Sequence, residues 1–253
     1  MNRPLKSETH NPATRPIYFV SYHFPNVADH SGYDRIVPYL GDAVEISRAM
    51  HFMGETVLRL PAKLISWYGG SFEYSRHDFV RECAAFLHML RRKNAIYHFT
   101  QAEKSYKLLA GMSGKNGHRF VATFHHPESH FRWLFRSTEH LKRLSHAIVL
   151  STREQKFIES LVGAGKVTFV PHGVDTDYFK PVEQKESRAL RCVFAGTHMR
   201  DFETLPRVVS GILQRHRDAE FWIVSRNRKC EPLAGQPGVR WLRDIPDTQY
   251  LEA

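Results

Sequence analysis

The feature that most constrains this chain is a repeated alternation of short apolar runs with helix-length segments. The runs IYFVSY (17–22), AIYHF (95–99), FVATF (120–124), AIVL (147–150) and VTFV (167–170) are rich in β-branched and aromatic residues. Each is followed by polar or turn residues, the pattern of a strand buried on both faces. Between them, Phe79, Val80, Cys83, Phe86, Leu87 and Leu90 recur at helical spacing. So do Phe131, Leu134 and Phe135, on the way to Leu141 and Leu144. Ser151-Thr152-Arg153-Glu154 has the form of a capping box and places a helix start directly after AIVL. Residues 54–74 read as one strand and a long loop. Parallel neighbours need a crossover, and a helix supplies it. Residues 16–181 are therefore expected to form a doubly wound, Rossmann-like α/β domain. Ligands of such a sheet bind beyond the carboxyl ends of its strands.

The polar segment 182–189 reads as a linker, and then the alternation restarts. LRCVFAG (190–196), FWIV (221–224) and VRWL (239–242) read as strands, and residues 201–216 as a helix. Asp247 caps a further helix that begins in TQYLEA. Residues 190–253 are expected to be the first part of a second Rossmann-like domain, incomplete because so few strands bury little surface. Residues 1–15, polar and with two prolines, read as a loose tail.

With 42% hydrophobic and 12% aromatic residues the chain can bury a substantial core, which excludes wholesale disorder. Cys83, Cys192 and Cys230 are far apart and fit no metal-ligand spacing, so they read as ordinary thiols of a reducing, cytoplasmic setting. The sequence holds no run of eighteen apolar residues and no signal-peptide core. It also lacks a dinucleotide-binding glycine motif, a P-loop, a zinc-protease motif and a nucleophile elbow. The net charge of +10 predicts attraction to an anionic partner. The basic residues are scattered, as in Arg91-Arg92-Lys93, with no stacking platform or helix-turn-helix beside them, so nucleic acid is not expected.

Asp175 and Asp177, in VPHGVDTDYFKP (170–181), raise the question of a metal site. Holding an ion would take further carboxylates that the segment lacks. Asp175 reads instead as the cap of the turn Thr176–Phe179, with Pro181 stopping it. Together with the preceding AIVLSTREQKFI, the string VTFVPHGVDTDYFKP resembles the end of the N-terminal domain in retaining glycosyltransferases of family 4, which have the GT-B fold. IYFVSYHFPNVADHSGYDR is similar to that family's first strand and glycine loop. ATFHHPE is similar to its Thr-x-His strand end, and CVFAGTHMRDFETL to the opening of its second domain. The resemblance spans roughly residues 16–253.

Candidate site residues follow from these landmarks. Ser31 and Gly32 come after the first strand, where a helix N-terminus offers amides to an anion and glycine lets backbone approach a ligand. Tyr33 either stacks on a ligand or joins the core. His125 and His126 close FVATF, where an imidazole can hydrogen-bond a sugar hydroxyl or polarise the reacting centre. The resemblance assigns the catalytic role to His125, while His98 reads as structural. Gly173 is expected where backbone passes close to a ligand. In the second domain the family has Gly-Arg where this chain has Gly196-Thr197. Arg200 is then the nearby cation that can fork onto a diphosphate. The family's two spaced glutamates would fall beyond residue 253.

The resemblance implies hexosyl transfer, with retention, from a nucleotide sugar to a sugar, glycolipid or other acceptor. It implies neither cofactor nor metal, since backbone amides and basic side chains neutralise the diphosphate. It also implies a cytoplasmic protein with peripheral contact at the inner membrane face, which the positive charge suits. Two other readings stand beside it. One is an inactive or regulatory half-protein completed by a partner chain, motivated by Thr197 and by where the sequence stops. The other is a sugar-nucleotide epimerase of the same fold.

Overall fold

The computed structural model describes residues 15–21, 23, 30–40, 44–46, 59–69, 73–181, 190–197, 199–246 and 249. Residues 1–14 of the tail, the 182–189 linker, His198 and the Asp247 cap lie outside them. The chain divides into two units, residues 1–174 and 175–253. The division thus falls before Pro181, where the sequence reading ends its first domain.

In the first unit the described elements are β1 (Ile17–Val20), β2 (Val44–Glu45), α1 (Arg59–Gly69), α2 (Arg76–Met89), β3 (Ile96–Phe99), β4 (Arg119–Phe124), α3 (Glu128–Leu134), β5 (His146–Val149), α4 (Thr152–Val162) and β6 (Val167–Phe169). The six strands form one sheet in the order β2-β1-β3-β4-β5-β6. Every pairing is parallel, with Tyr18 opposite Val44 and Tyr97, and Ala122 opposite Ala147. β2, only two residues long, had no signal in the sequence. The order reverses at β1, so the crevice beyond the ends of β1 and β3 is the switch point where such sheets take ligands.

The core is aromatic. Tyr97, Phe99, Tyr106 and Phe120 are wholly buried, and Tyr106 meets Phe99 and Phe120 edge-on at 5.3 and 5.5 Å. These are the T-shaped geometries that ring quadrupoles favour. Leu134, Leu141 and Leu144 are buried as their spacing suggests. They do not share a helix, however. α3 ends at Leu134, and a separate 3-10 turn spans Glu139–Arg143.

Two further local expectations are corrected, and the inner face of one expected helix is settled. Residues 59–69 form helix α1 rather than a strand and loop. Pro61 lies in its first turn, where a missing N–H costs nothing, and Gly69 lies at its end. α2 turns its charged side inward. Asp78, Arg81, Glu82, Ala85 and Met89 are buried, whereas Phe86, Leu87 and Leu90 are exposed. Spacing alone marks a helix and leaves its inner face open. Burial of the charged face is made possible by an Asp78–Arg81 ion pair and by Leu109, whose N–H donates to Glu82 Oε2 at 2.7 Å. Ser151 caps α4 by accepting from Arg153 N at 3.3 Å, but Glu154 does not close a box on it. The Glu154 Oε2 instead accepts the Glu128 N–H at 2.9 Å and so fastens the start of α3. A true capping box stands at Ser75 and Asp78, where Asp78 Oδ2 accepts Ser75 N at 2.8 Å.

In the second unit β7 (Arg191–Ala195), α5 (Leu205–Arg215), β8 (Glu220–Val224) and β9 (Val239–Leu242) make a parallel sheet in the order β7-β8-β9. Leu205, Val209, Phe221, Ile223, Cys230 and Leu233 form its own core. The turn after Val174 is capped as expected. The Asp175 Oδ1 accepts the amides of Asp177 and Tyr178 at 3.1 and 3.2 Å.

Candidate functional site

Three rings gather in the first unit among residues that follow β1, β4 and β6. Gly32 has φ 118°, a conformation that favours glycine, and it turns the chain so that Tyr33 comes next. The Tyr33 ring lies over His125, with 3.7 Å between centroids and 30° between planes. His172 completes the group, 5.8 Å from His125 and 6.2 Å from Tyr33. Asp34, buried beside Tyr33, has a carboxylate oxygen 3.1 Å from His23 Nδ1. Ser31 is half-buried. No α-helix N-terminus opens at Ser31-Gly32 among the described residues. Turns lead there into a 3-10 turn at Val37–Tyr39, and the Arg35 and Val37 amides are taken by Gly32 O and Asp34 O.

His125 is held through its ring and through its backbone amide. Its Nε2 bonds to the Thr100 carbonyl at 2.6 Å. A carbonyl can only accept, so Nε2 carries the proton and Nδ1 presents its lone pair. That Nδ1 is buried and has no hydrogen-bond partner among the described residues. Burial pushes the imidazole down to about 4, against the Thr100 bond and helped by His172, so the ring is neutral at physiological pH. Behind it lies Glu103, buried, whose Oε1 accepts the His125 N–H and also the His126 N–H, the latter at 2.8 Å. Burial raises the Glu103 carboxyl, against the pull of these amides. The Tyr33 phenol is likewise raised, by burial first and then by Glu103. A neutral imidazole with one buried acceptor nitrogen is suited to receive a hydrogen bond from a hydroxyl. It is not suited to act as a cationic acid.

The other expected residues fall as follows. His98 Nε2 is 2.7 Å from Thr123 Oγ1, a structural pairing within the sheet. Gly173 is exposed, and a Cβ there would meet nothing within 4 Å, so close packing in the described structure does not require glycine. In the second unit Gly196, at φ 108°, ends β7, and a Cβ on it would lie 2.9 Å from Arg200 Nε. Glycine is therefore needed for the guanidinium to lie back across the strand end, where Nε donates to Ala195 O at 3.1 Å. Thr197 Oγ1 accepts Arg226 N at 3.3 Å and lies 3.4 Å from Ser225 Oγ, which joins the ends of β7 and β8. The structure thus brings Gly32 and Tyr33 to His125 in one unit, and Thr197 and Arg200 to the end of β7 in the other. Sequence reasoning passed over His172 and Glu103. His172 was one of 16 histidines, and nothing in the sequence tied Glu103 to the His125 turn.

No protein-family model matches the chain, and no curated protein matches it. Among solved structures, Anabaena HepE in complex with UDP and glucose is similar with a TM-score of 0.54 at 14% identity, over 92% of this chain and 70% of that one. The fold is GT-B. HepE in complex with UDP-glucose gives 0.53 at the same identity and coverage. A mutant of S. aureus TarM, in complex with fondaparinux, alpha-GlcNAc-glycerol and UDP, gives 0.49 at 13% identity. That match covers 68% of this chain and 37% of TarM, so the chain spans little more than a third of TarM's length.

Proposed function

We propose that this GT-B chain takes part in hexosyl transfer from a nucleotide sugar to a sugar, glycolipid or related acceptor, with retention and with no metal at the diphosphate. The observation that carries the reading is His125, neutral, with a buried and unpartnered Nδ1 beside Tyr33 near the sheet's switch point. A hydroxyl of the bound sugar donates to Nδ1, and the Thr100 carbonyl keeps the opposite nitrogen protonated so that the acceptor role is fixed. Tyr33 and His172 offer ring faces for the apolar side of a sugar. In the second unit, taken by itself, the Arg200 guanidinium is the proposed cation for a nucleotide's diphosphate. Similarity to HepE, whose structures hold UDP, glucose and UDP-glucose, supports the donor class.

Peripheral contact with an anionic membrane face belongs to the same proposal. No helix among the described residues is long and apolar enough to cross a membrane. On α1, however, Leu60, Leu64 and Trp67 are exposed at i, i+4 and i+7, next to Arg59 and Lys63. That is the amphipathic pattern of a helix lying in an interface.

The test is thermal unfolding of the full chain with UDP-, GDP- and ADP-sugars, followed by transfer assays with the binding donor. One nucleotide class is expected to raise Tm by about 5–10 °C at a hundredfold excess over Kd. Omitting magnesium and manganese should leave the transfer rate unchanged, and the product should keep the donor's anomeric configuration. Absence of both a shift and transfer across the panel rejects the proposal.

A further inference from the structure

A second cluster of ligating side chains lies just past His125, and the transfer reading does not use it. His126, at the turn after β4, stacks on His130 of α3 with 4.2 Å between ring centroids and 24° between planes. Glu73, in the segment that leads into α2, brings its Oε1 to 3.5 Å from His130 Nε2. One donor atom from each of Glu73, His126 and His130 lies within 4.8 Å of the others. His130 is only 7% exposed, and its Nε2 is buried without a hydrogen-bond partner among the described residues. Glu73 Oε2 faces Lys104 Nζ at 3.4 Å, so the lysine sits on the oxygen turned away from the imidazole.

We propose that Glu73, His126 and His130 bind one divalent cation of the zinc class. Two imidazoles and a carboxylate form a nitrogen–oxygen donor set of the kind zinc takes, with a fourth position for water. The two histidines flank the start of α3, and their stacked rings lie side by side. Donors around a tetrahedral ion at about 2.1 Å stand about 3.4 Å apart, so the side chains close in by little more than an ångström when the ion enters. The ion satisfies the His130 nitrogen, which has no hydrogen-bond partner among the described residues. Glu73 binds it through Oε1, and Oε2 stays with Lys104. The bound ion ties the turn that carries His126 to the segment before α2, two parts of the chain that no strand pairing joins among the described residues. Its site is separate from the His125 Nδ1 acceptor and calls for no metal at a diphosphate.

The measurement is zinc uptake by the full chain, stripped with chelator and dialysed, read as bound metal after gel filtration and as a shift in Tm. No sugar nucleotide is present, so the result does not depend on the transfer reading. Wild type is expected to retain one equivalent of Zn2+ and to gain thermal stability. Glu73→Gln and His130→Asn should each weaken binding about 100-fold and lose the retained equivalent. Cobalt in place of zinc should give the visible absorption of a four-coordinate site in wild type only. A wild-type chain that retains no zinc overturns the proposal, and would leave a bridging water as the partner of His130 Nε2. Variants that retain the full equivalent overturn it too, by placing the metal on other histidines. If His130→Asn fails to fold, Glu73→Gln decides by the same criterion.

Discussion

His125→Ala is expected to lower kcat/KM for sugar transfer by about 100-fold, the scale of a lost catalytic hydrogen-bonding or proton-handling group. The ring does two things that alanine cannot. In the proposed transfer its Nδ1 lone pair receives the substrate hydroxyl, and its Nε2–H occupies the Thr100 carbonyl at 2.6 Å. Losing the second contact costs stability as well, about 1–2 kcal/mol for a carbonyl left without its donor. The kinetics must therefore be read on protein whose circular dichroism and Tm show it folded. His125→Phe separates the two roles further, because it keeps a ring against Tyr33 and removes both nitrogens. Equal losses in the two variants assign the effect to the nitrogens. If the phenylalanine variant transfers within threefold of wild type, His125 is a packing residue and the assignment is wrong. Because its conjugate acid titrates at about 4, the ring stays neutral above pH 5, and its protonation should not shape the rate profile there.

The second large effect is on stability. Glu82 on α2 is wholly buried, and its carboxyl is pushed up to about 8, first by burial, against the Leu109 amide. The folded chain therefore holds a proton that the unfolded chain releases near 4.5. Between those values Glu82 holds more proton in the folded state than in the unfolded, so its own contribution to stability falls as pH rises from 4.5 to 8 and levels off above. The slope is at most about 1.4 kcal/mol per pH unit. Glu82→Gln removes the titration and keeps an oxygen for the Leu109 N–H. The variant should gain on wild type as pH rises from 5 to 8, by a margin on the order of 3 kcal/mol. Urea unfolding of both proteins at the two pH values measures it. Lys107, pushed down to about 8 by burial, has its own window above 8 and does not overlap. A stability difference that is the same at pH 5 and pH 8 would show that Glu82 is ionised in the fold.

The second effect arises where the sequence was least informative. The periodicity of Phe86, Leu87 and Leu90 marked a helix without saying which face turns inward, and the buried face is the one that carries Glu82. Apolar spacing shows that a helix has two faces. It cannot show that an Asp78–Arg81 pair and a loop amide will make the charged face the inner one. The Ser151 box misled for a related reason. A carboxylate three residues into a helix takes whichever amide the tertiary structure brings nearest, and here that amide belongs to Glu128.

By itself the sequence determined the layered α/β plan, eight of the nine strands described, the restart after residue 190 and the capped turn at Asp175. These are local outcomes. A short β-branched run buried on two faces has few alternatives, and an Asx turn is closed by residues two and three positions away. The resemblance, and not position alone, singled out His125 among the histidines at strand ends. Only the tertiary structure decided what His125 is chemically. The tautomer depends on Thr100, the neutral charge on burial, and the ring stack on Tyr33, residues that reach it from other strand ends. The same holds for Glu73, His126 and His130. Two of them sit in one short string, but the carboxylate that would make them a site comes from across the sheet connection. Short-range pattern carries the fold because backbone geometry is local. The site depends on long-range contacts, because a side chain's charge, tautomer and free lone pairs are set by whatever packs against it.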